Sequence, residues 1–210
     1  MLGLILLLVF MFGCERQSST RTTIIKEENE KEEAYVLPSD FVSLLEKTKT
    51  IKSIQYLYVT SKETAMNDFY VKGNNMKIKL MEPFIINATD MYDVVYIDLI
   101  EKKAKAYCEI DEECFRIKGK AYDVSFSSYY RETPLDWAKK LENARNVVKI
   151  ESEMIENKRA IHYSLELENA SGEVWIWEYN GLPLKIILNN HTYEFRNLAV
   201  NTLQDSDVVR

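Results

Sequence analysis

The sequence predicts a mainly β, α+β domain: an antiparallel meander of about eleven short strands with two or more short helices. Three observations point there. Apolar residues recur at every second position through most of the chain, as in NMKIKLM, where Met76, Ile78 and Leu80 share one face and Lys77 and Lys79 the other. Turn-forming residues separate these runs at short intervals, which joins neighbouring strands antiparallel. Tyrosine is frequent at 13, while glycine stands at 6 and proline at 4. Such a chain favours strands and builds many turns from Asn, Asp and Ser. With 46% apolar and 29% charged residues over 210 positions, the composition is ordinary for a globular protein. A body of about 170 residues can bury roughly 70% of its unfolded surface in one core. The formal charge of −6 argues against nucleic acid, which needs a basic face.

The first element is apolar. Leu2 to Gly13 carries no charge; it is shorter than the roughly 20 residues a membrane-crossing helix needs and fits the apolar core of a secretory signal. Met11-Phe12-Gly13-Cys14 resembles a bacterial or archaeal lipoprotein signal, in which a small residue precedes the lipidated cysteine. Phe12 is bulkier than that pattern prefers, and only the amino group of Met1 supplies the usual positive start. A plain signal cut elsewhere and a buried core strand are the other readings. ERQSSTRTTIIKEENEKEE follows; it is polar, mixed in charge and too poor in apolar residues to offset its ordering entropy. About 20 such residues span roughly 25 Å. The expected division is a signal peptide over 1–13, a lipidated N-terminus and flexible tether over 14–36, and one domain over 37–210.

Within the domain, Phe41, Leu44 and Leu45 mark one face of a helix, with Ser39 or Asp40 placed to cap it. The period then becomes two. IQYLYVTS, NDFYVKG, NMKIKLM, YDVVYIDLI, KAKAYCEI and ECFRIK read as six strands. PLDWAKKLENA (134–144) reads as a helix, with Pro134 suited to its first turn. VVKIESEMI, RAIHYSLELE, GEVWIWEY, LPLKIILN and TYEFRNLAV read as five more strands. Asn180-Gly181 is the strongest hairpin signal.

Few residues suggest reactive chemistry. His162 and His191 are the only histidines, and neither has metal-ligand spacing or a nucleophile motif nearby. Phosphate loops and GxSxG are absent. No catalytic residue, cofactor or metal is expected. Glu109, Asp111, Glu112 and Glu113 crowd one turn but lack the spacing and Gly of a calcium loop. Cys108 and Cys114 flank EIDEE; in an exported protein a disulfide is the default, against a thiol pair or an incomplete metal site. Asn87, Asn169 and Asn190 head glycosylation sequons near expected turns. Trp175, Trp177 and Tyr179 form a period-two stripe, readable as core packing or as the wall of an apolar cavity.

"VWIWEYNGLPLKIIL", "YEFRNLAVNTLQDSDVV" and "VVYIDLIEKKAKAYC" resemble segments of the LolA-like lipoprotein-carrier superfamily, a likeness covering roughly residues 37–210. The resemblance implies a strongly curved antiparallel half-barrel of about eleven strands, with helices over the concave face and an apolar space for acyl chains. Alternation nominates Ile78, Leu80, Tyr96, Trp137, Tyr163, Trp175 and Trp177 as groove residues. The expected protein is a non-enzymatic binder of a lipid, an acyl chain or a lipoprotein. A lipid anchor at Cys14 would hold it to the outer face of the cell membrane or in the periplasm. The other reading is a surface interaction module whose core is filled and which takes no small-molecule ligand.

Overall fold

The computed structural model describes residues 35–110, 114, 117 and 119–210. The expected signal peptide, Cys14 and nearly all of the tether lie outside the described residues. Among the described residues, eleven strands form one open antiparallel sheet. Helix α1 (Ser39–Glu46) comes first, extended by a 3₁₀ turn. Then follow β1 (Ser53–Thr60), β2 (Glu63–Lys72), β3 (Asn75–Ile85), β4 (Met91–Asp98), β5 (Lys103–Tyr107) and β6 (Ala121–Val124). Helices α2 (Phe126–Tyr129) and α3 (Pro134–Leu141) lead to β7 (Arg145–Ile155), β8 (Lys158–Leu167), β9 (Ala170–Trp177), β10 (Pro183–Leu188) and β11 (His191–Val200). No helix among them is long and apolar enough to cross a membrane.

The strand order is β6-β5-β4-β3-β2-β1-β11-β10-β9-β8-β7. Two meanders therefore meet at the β1–β11 pair, and the chain between β6 and β7 passes from one sheet edge to the other. That crossing carries α2 and α3 over one face, which becomes the inner face of a half-barrel. Register assigns the side chains. Ile54, Val71, Met76, Ile97 and Ala104 face one another across five strands, and Tyr56, Phe69, Ile78, Val95 and Ala106 form the next row. In the other half Tyr193, Ile186, Val174 and Tyr163 align. Paired residues share a face, so this side is apolar throughout. The helices bury their own apolar stripes against it: Phe41 meets Tyr163 edge-on at 5.0 Å, and Trp137 meets Tyr193 at 5.0 Å.

Local chemistry explains the element ends. At α3, Thr133 Oγ1 accepts from Asp136 N, and the Asp136 carboxylate accepts from Thr133 N at 2.8 Å. This reciprocal cap joins Pro134 at the first helical position. At α1, Pro38 takes the cap position instead of Ser39 or Asp40. Glu156-Asn157, Glu168-Asn169 and Asn189-Asn190 all have positive φ, as tight hairpin turns require, so asparagine supplies what scarce glycine does not. Asn180-Gly181 does turn the chain, but in a wider loop: Trp177 N donates to Leu182 O and Gly181 N to Trp177 O, each at 2.8 Å.

The expected strand ECFRIK falls mostly outside the described residues, and the two of it that are described, Cys114 and Ile117, lie in turns. The sixth strand among the described residues is Ala121–Val124. Helix α2 was not anticipated, since FSSY is too short for helical periodicity to register. Cys108 and Cys114 are disulfide-bonded. Both are buried, and Asp93 pins the start of their loop by accepting from Glu109 N at 2.8 Å and Ile110 N at 2.7 Å.

Gly181 joins sheet to helix. Its φ of +78° is left-handed, and a Cβ there would collide with the Leu44 carbonyl of α1. Gly181→Ala is therefore expected to cost about 2–4 kcal/mol, from strain plus displacement of α1, read as a lower urea midpoint. Reducing the disulfide, which closes a very short loop, should cost about 2 kcal/mol. A reductant-independent midpoint would show the loop to be held by Asp93 alone.

Candidate functional site: an apolar mouth between two strands

The sheet is not continuous along its length. β2 pairs with β3 only from Lys72↔Asn75 to Asp68↔Lys79. Beyond Lys79 the partner of β3 is β4 alone, and that register jumps from Lys79↔Val94 to Phe84↔Tyr92. Four residues of β3 there oppose one of β4. Pro83 lies inside this bulge, where its missing N–H costs no ladder bond. Across the gap Asn67 Oδ1 accepts from Met81 N at 3.0 Å. The two strands thus part around a cavity of about 500 Å³, bounded by Asn67, Leu80, Met81, Pro83, Phe84 and Tyr129. That size lies within the range of small-molecule sites.

The rim is unusually apolar. Met81 is 64% exposed and Phe84 52%, and Ile85 and Ile86, which follow in the chain, are exposed as well. Contiguous exposed apolar side chains mark a binding surface more often than isolated ones do. Beneath the rim, Phe84 stacks on Tyr92 at 5.0 Å, and the Tyr92 hydroxyl meets that of Tyr129 on α2. Leu80 packs onto the main core, so the mouth leads inward. The middle of the trough is filled: Phe41, Tyr56, Tyr163, Phe195, Ile54 and Ile176 are each almost wholly buried.

The seven nominated groove residues do not form one wall. Ile78, Leu80 and Tyr163 are on the inner face, with Trp137 descending from α3. Ile78, Tyr163 and Trp137 are sealed in the core, and only Leu80 borders the mouth. Tyr96, Trp175 and Trp177 point to the outer face, because they alternate with the inner residues Val95, Val174 and Ile176. Tyr96 donates to Glu109 Oε2 at 2.9 Å, and Arg210 Nε holds the other Glu109 oxygen at 2.7 Å. Trp175 lies flat on His162. The mouth residues Met81 and Phe84 escape a reading by alternation because the bulge breaks it, and Tyr129 because it lies on α2. The visible signal is the apolar run after Pro83. Asn87, Asn169 and Asn190 are all exposed in turns, and the Asn87 side chain is engaged with Thr89 and Asp90.

No protein-family model matches the chain, and no characterised protein matches it in sequence. Solved structures do resemble it. LprF from Mycobacterium bovis superposes with a TM-score of 0.50 at 9% identity, over 81% of this chain and 96% of LprF. The fold is LolA-like. LppX from Mycobacterium tuberculosis gives 0.48 at 13% identity, over 79% of this chain and 95% of its own. MucB, also solved from Pseudomonas aeruginosa with MucA, gives 0.49 at 10% identity. That match covers 82% of this chain, which spans only 62% of MucB.

Tyrosines around the trough titrate late. Burial, then the Tyr129 hydroxyl, raises the pKa of Tyr92; burial, then the Asp136 carboxylate, raises that of Tyr130; burial, then Asp40, raises that of Tyr163. In the unfolded chain these phenols ionise near pH about 10. The unfolded state therefore releases protons first, and this contribution to stability is full below pH about 10 and lost above it. Urea midpoints should hold from pH about 8 to about 9.5 and then fall, with phenolate absorbance rising at the unfolding transition.

Proposed function

We propose that the protein is a non-catalytic binder of an amphiphile, a lipid or the acyl chain of a lipoprotein, and that the ligand enters at the mouth between β2 and β3. The observation that carries this reading is the parting of the two strands, with exposed Met81 and Phe84 above a half-buried Leu80. Burial of each CH₂ contributes about 0.8 kcal/mol, so a few ordered methylenes in the mouth give useful affinity without any reactive group. The LolA-like fold supports the same class of ligand. The ligand's polar end would stay at the rim, where Asn67 and Glu82 stand.

The disulfide agrees with an extracytoplasmic setting. In this reading a lipid anchor at Cys14 keeps the domain on one membrane, so it handles lipid locally and does not ferry it over distance. One observation favours a second reading, a surface interaction module: the centre of the trough is occupied by the protein's own side chains.

Native mass spectrometry of gently purified protein and titration with a dansyl-labelled fatty acid distinguish the two. The binder reading expects co-purified lipid and saturable fluorescence. Exchanging Phe84 and Met81 for Ser, both exposed, should weaken binding by roughly tenfold and leave the urea midpoint nearly unchanged. No lipid and no dansyl signal would leave the interaction module as the better account.

A further inference from the structure

The outer face of the C-terminal half carries a side-chain group that the mouth does not use. Register builds it. Glu151 on β7 stands opposite His162 on β8, and His162 stands opposite Trp175 on β9. Glu153, two residues beyond Glu151, shares the same face. One ligand atom from each of Glu151, Glu153 and His162 lies within 4.8 Å of the other two. The imidazole is stacked on the Trp175 indole at 4.0 Å and is only 8% exposed. Neither of its ring nitrogens makes a hydrogen bond. A buried imidazole with two unsatisfied nitrogens is costly to keep, and this one faces carboxylates. Glu153 is fixed in place by the Trp175 indole N–H.

We propose that Glu151, Glu153 and His162 bind a divalent transition-metal ion of the zinc class. Two carboxylates and one imidazole supply three protein ligands and leave a position for water, a set suited to zinc. The nitrogen ligand selects against calcium and magnesium, which take oxygen. Glu173 Oε2 lies 3.4 Å from His162 Nε2. That contact is not a hydrogen bond; a small turn of the Glu173 carboxylate onto Nε2 would supply the partner that orients a metal-bearing imidazole. A cation also offsets the crowding of Glu151, Glu153 and Glu173. The nearby Lys185 does not take that place: its ammonium lies 4.6 Å from the Trp175 ring, on the β10 side of the indole. The expectation of no metal rested on spacing along the chain, whereas these ligands assemble across strands.

The test is a titration of the purified protein with cobalt(II) chloride, read by tryptophan fluorescence. An ion on His162 quenches the stacked Trp175, and diamagnetic zinc(II) restores the signal by displacement. The expected result is saturable quenching, reversed by zinc(II) and untouched by calcium or magnesium. Glu151→Gln should weaken the apparent affinity by roughly tenfold or more, His162→Gln should abolish quenching, and His191→Gln should leave it unchanged. Glu151 is exposed, so E151Q remains decisive if circular dichroism shows His162→Gln to be misfolded. Absence of saturable quenching, restoration by calcium, or wild-type quenching in folded Glu151→Gln would overturn the site.

Discussion

The pairing of β1 with β11 is the constraint on which the remaining architecture depends. Each meander could form its own hairpins, but only this seam makes them one sheet. It is secured beyond its ladder. Asn201 Oδ1 accepts from Lys52 N at 2.7 Å, and Asn201 N donates to Ser53 O at 2.8 Å. Tyr56 and Tyr58 on one side of the seam pack on Phe195 of the other, at 5.4 and 5.9 Å. Because the seam lies mid-sheet, β6 and β7 become distant edges, and the chain joining them must cross the trough. The helices cover the inner face for that reason. Their packing then fills the middle of the trough and leaves openness to the periphery.

That peripheral opening has a definite cause. Antiparallel strands stay paired while their residues match one for one. β3 spends four residues where β4 spends one, and a proline sits within the excess. The edge of β2 is released, and Asn67 spans the gap with a side chain where a ladder bond would have been. Met81 and Phe84 are left exposed at the rim of the cavity. The outer face has a contrasting chemistry. Charged residues dominate it, and its aromatics are flanked by cations and carboxylates, as at Trp175 between His162 and Lys185.

Much of the fold was legible in the sequence, because period-two patterning is strong wherever one strand face is buried. Met76-Lys77-Ile78-Lys79 is such a case, and the helix at Pro134 announces itself by its proline. The sites were less legible. Alternation tells that Trp175 and Trp177 share a face but not which face, since both sides of β9 carry large apolar residues. Only pairing with β8 decides it. The bulge after Lys79 is set by tertiary pairing, so its exposed apolar cluster reads locally as more strand. Glu151 and His162 likewise meet only through register.

The seam also orders events in time. Lys52 and Asn201, which meet there, are 149 residues apart, so closing it incurs one of the largest loop-closure entropies available to the chain. Hairpins within each meander assemble quickly, whereas a contact of such long range is slow. Until β11 arrives, β1 presents a bare edge of eight residues flanked by tyrosines, a template for pairing with other chains. A nascent molecule therefore passes through a stage in which its most central strand is its most vulnerable one. Its safe handling depends on delivering the final strand promptly, or on a chaperone that shields that edge until it comes.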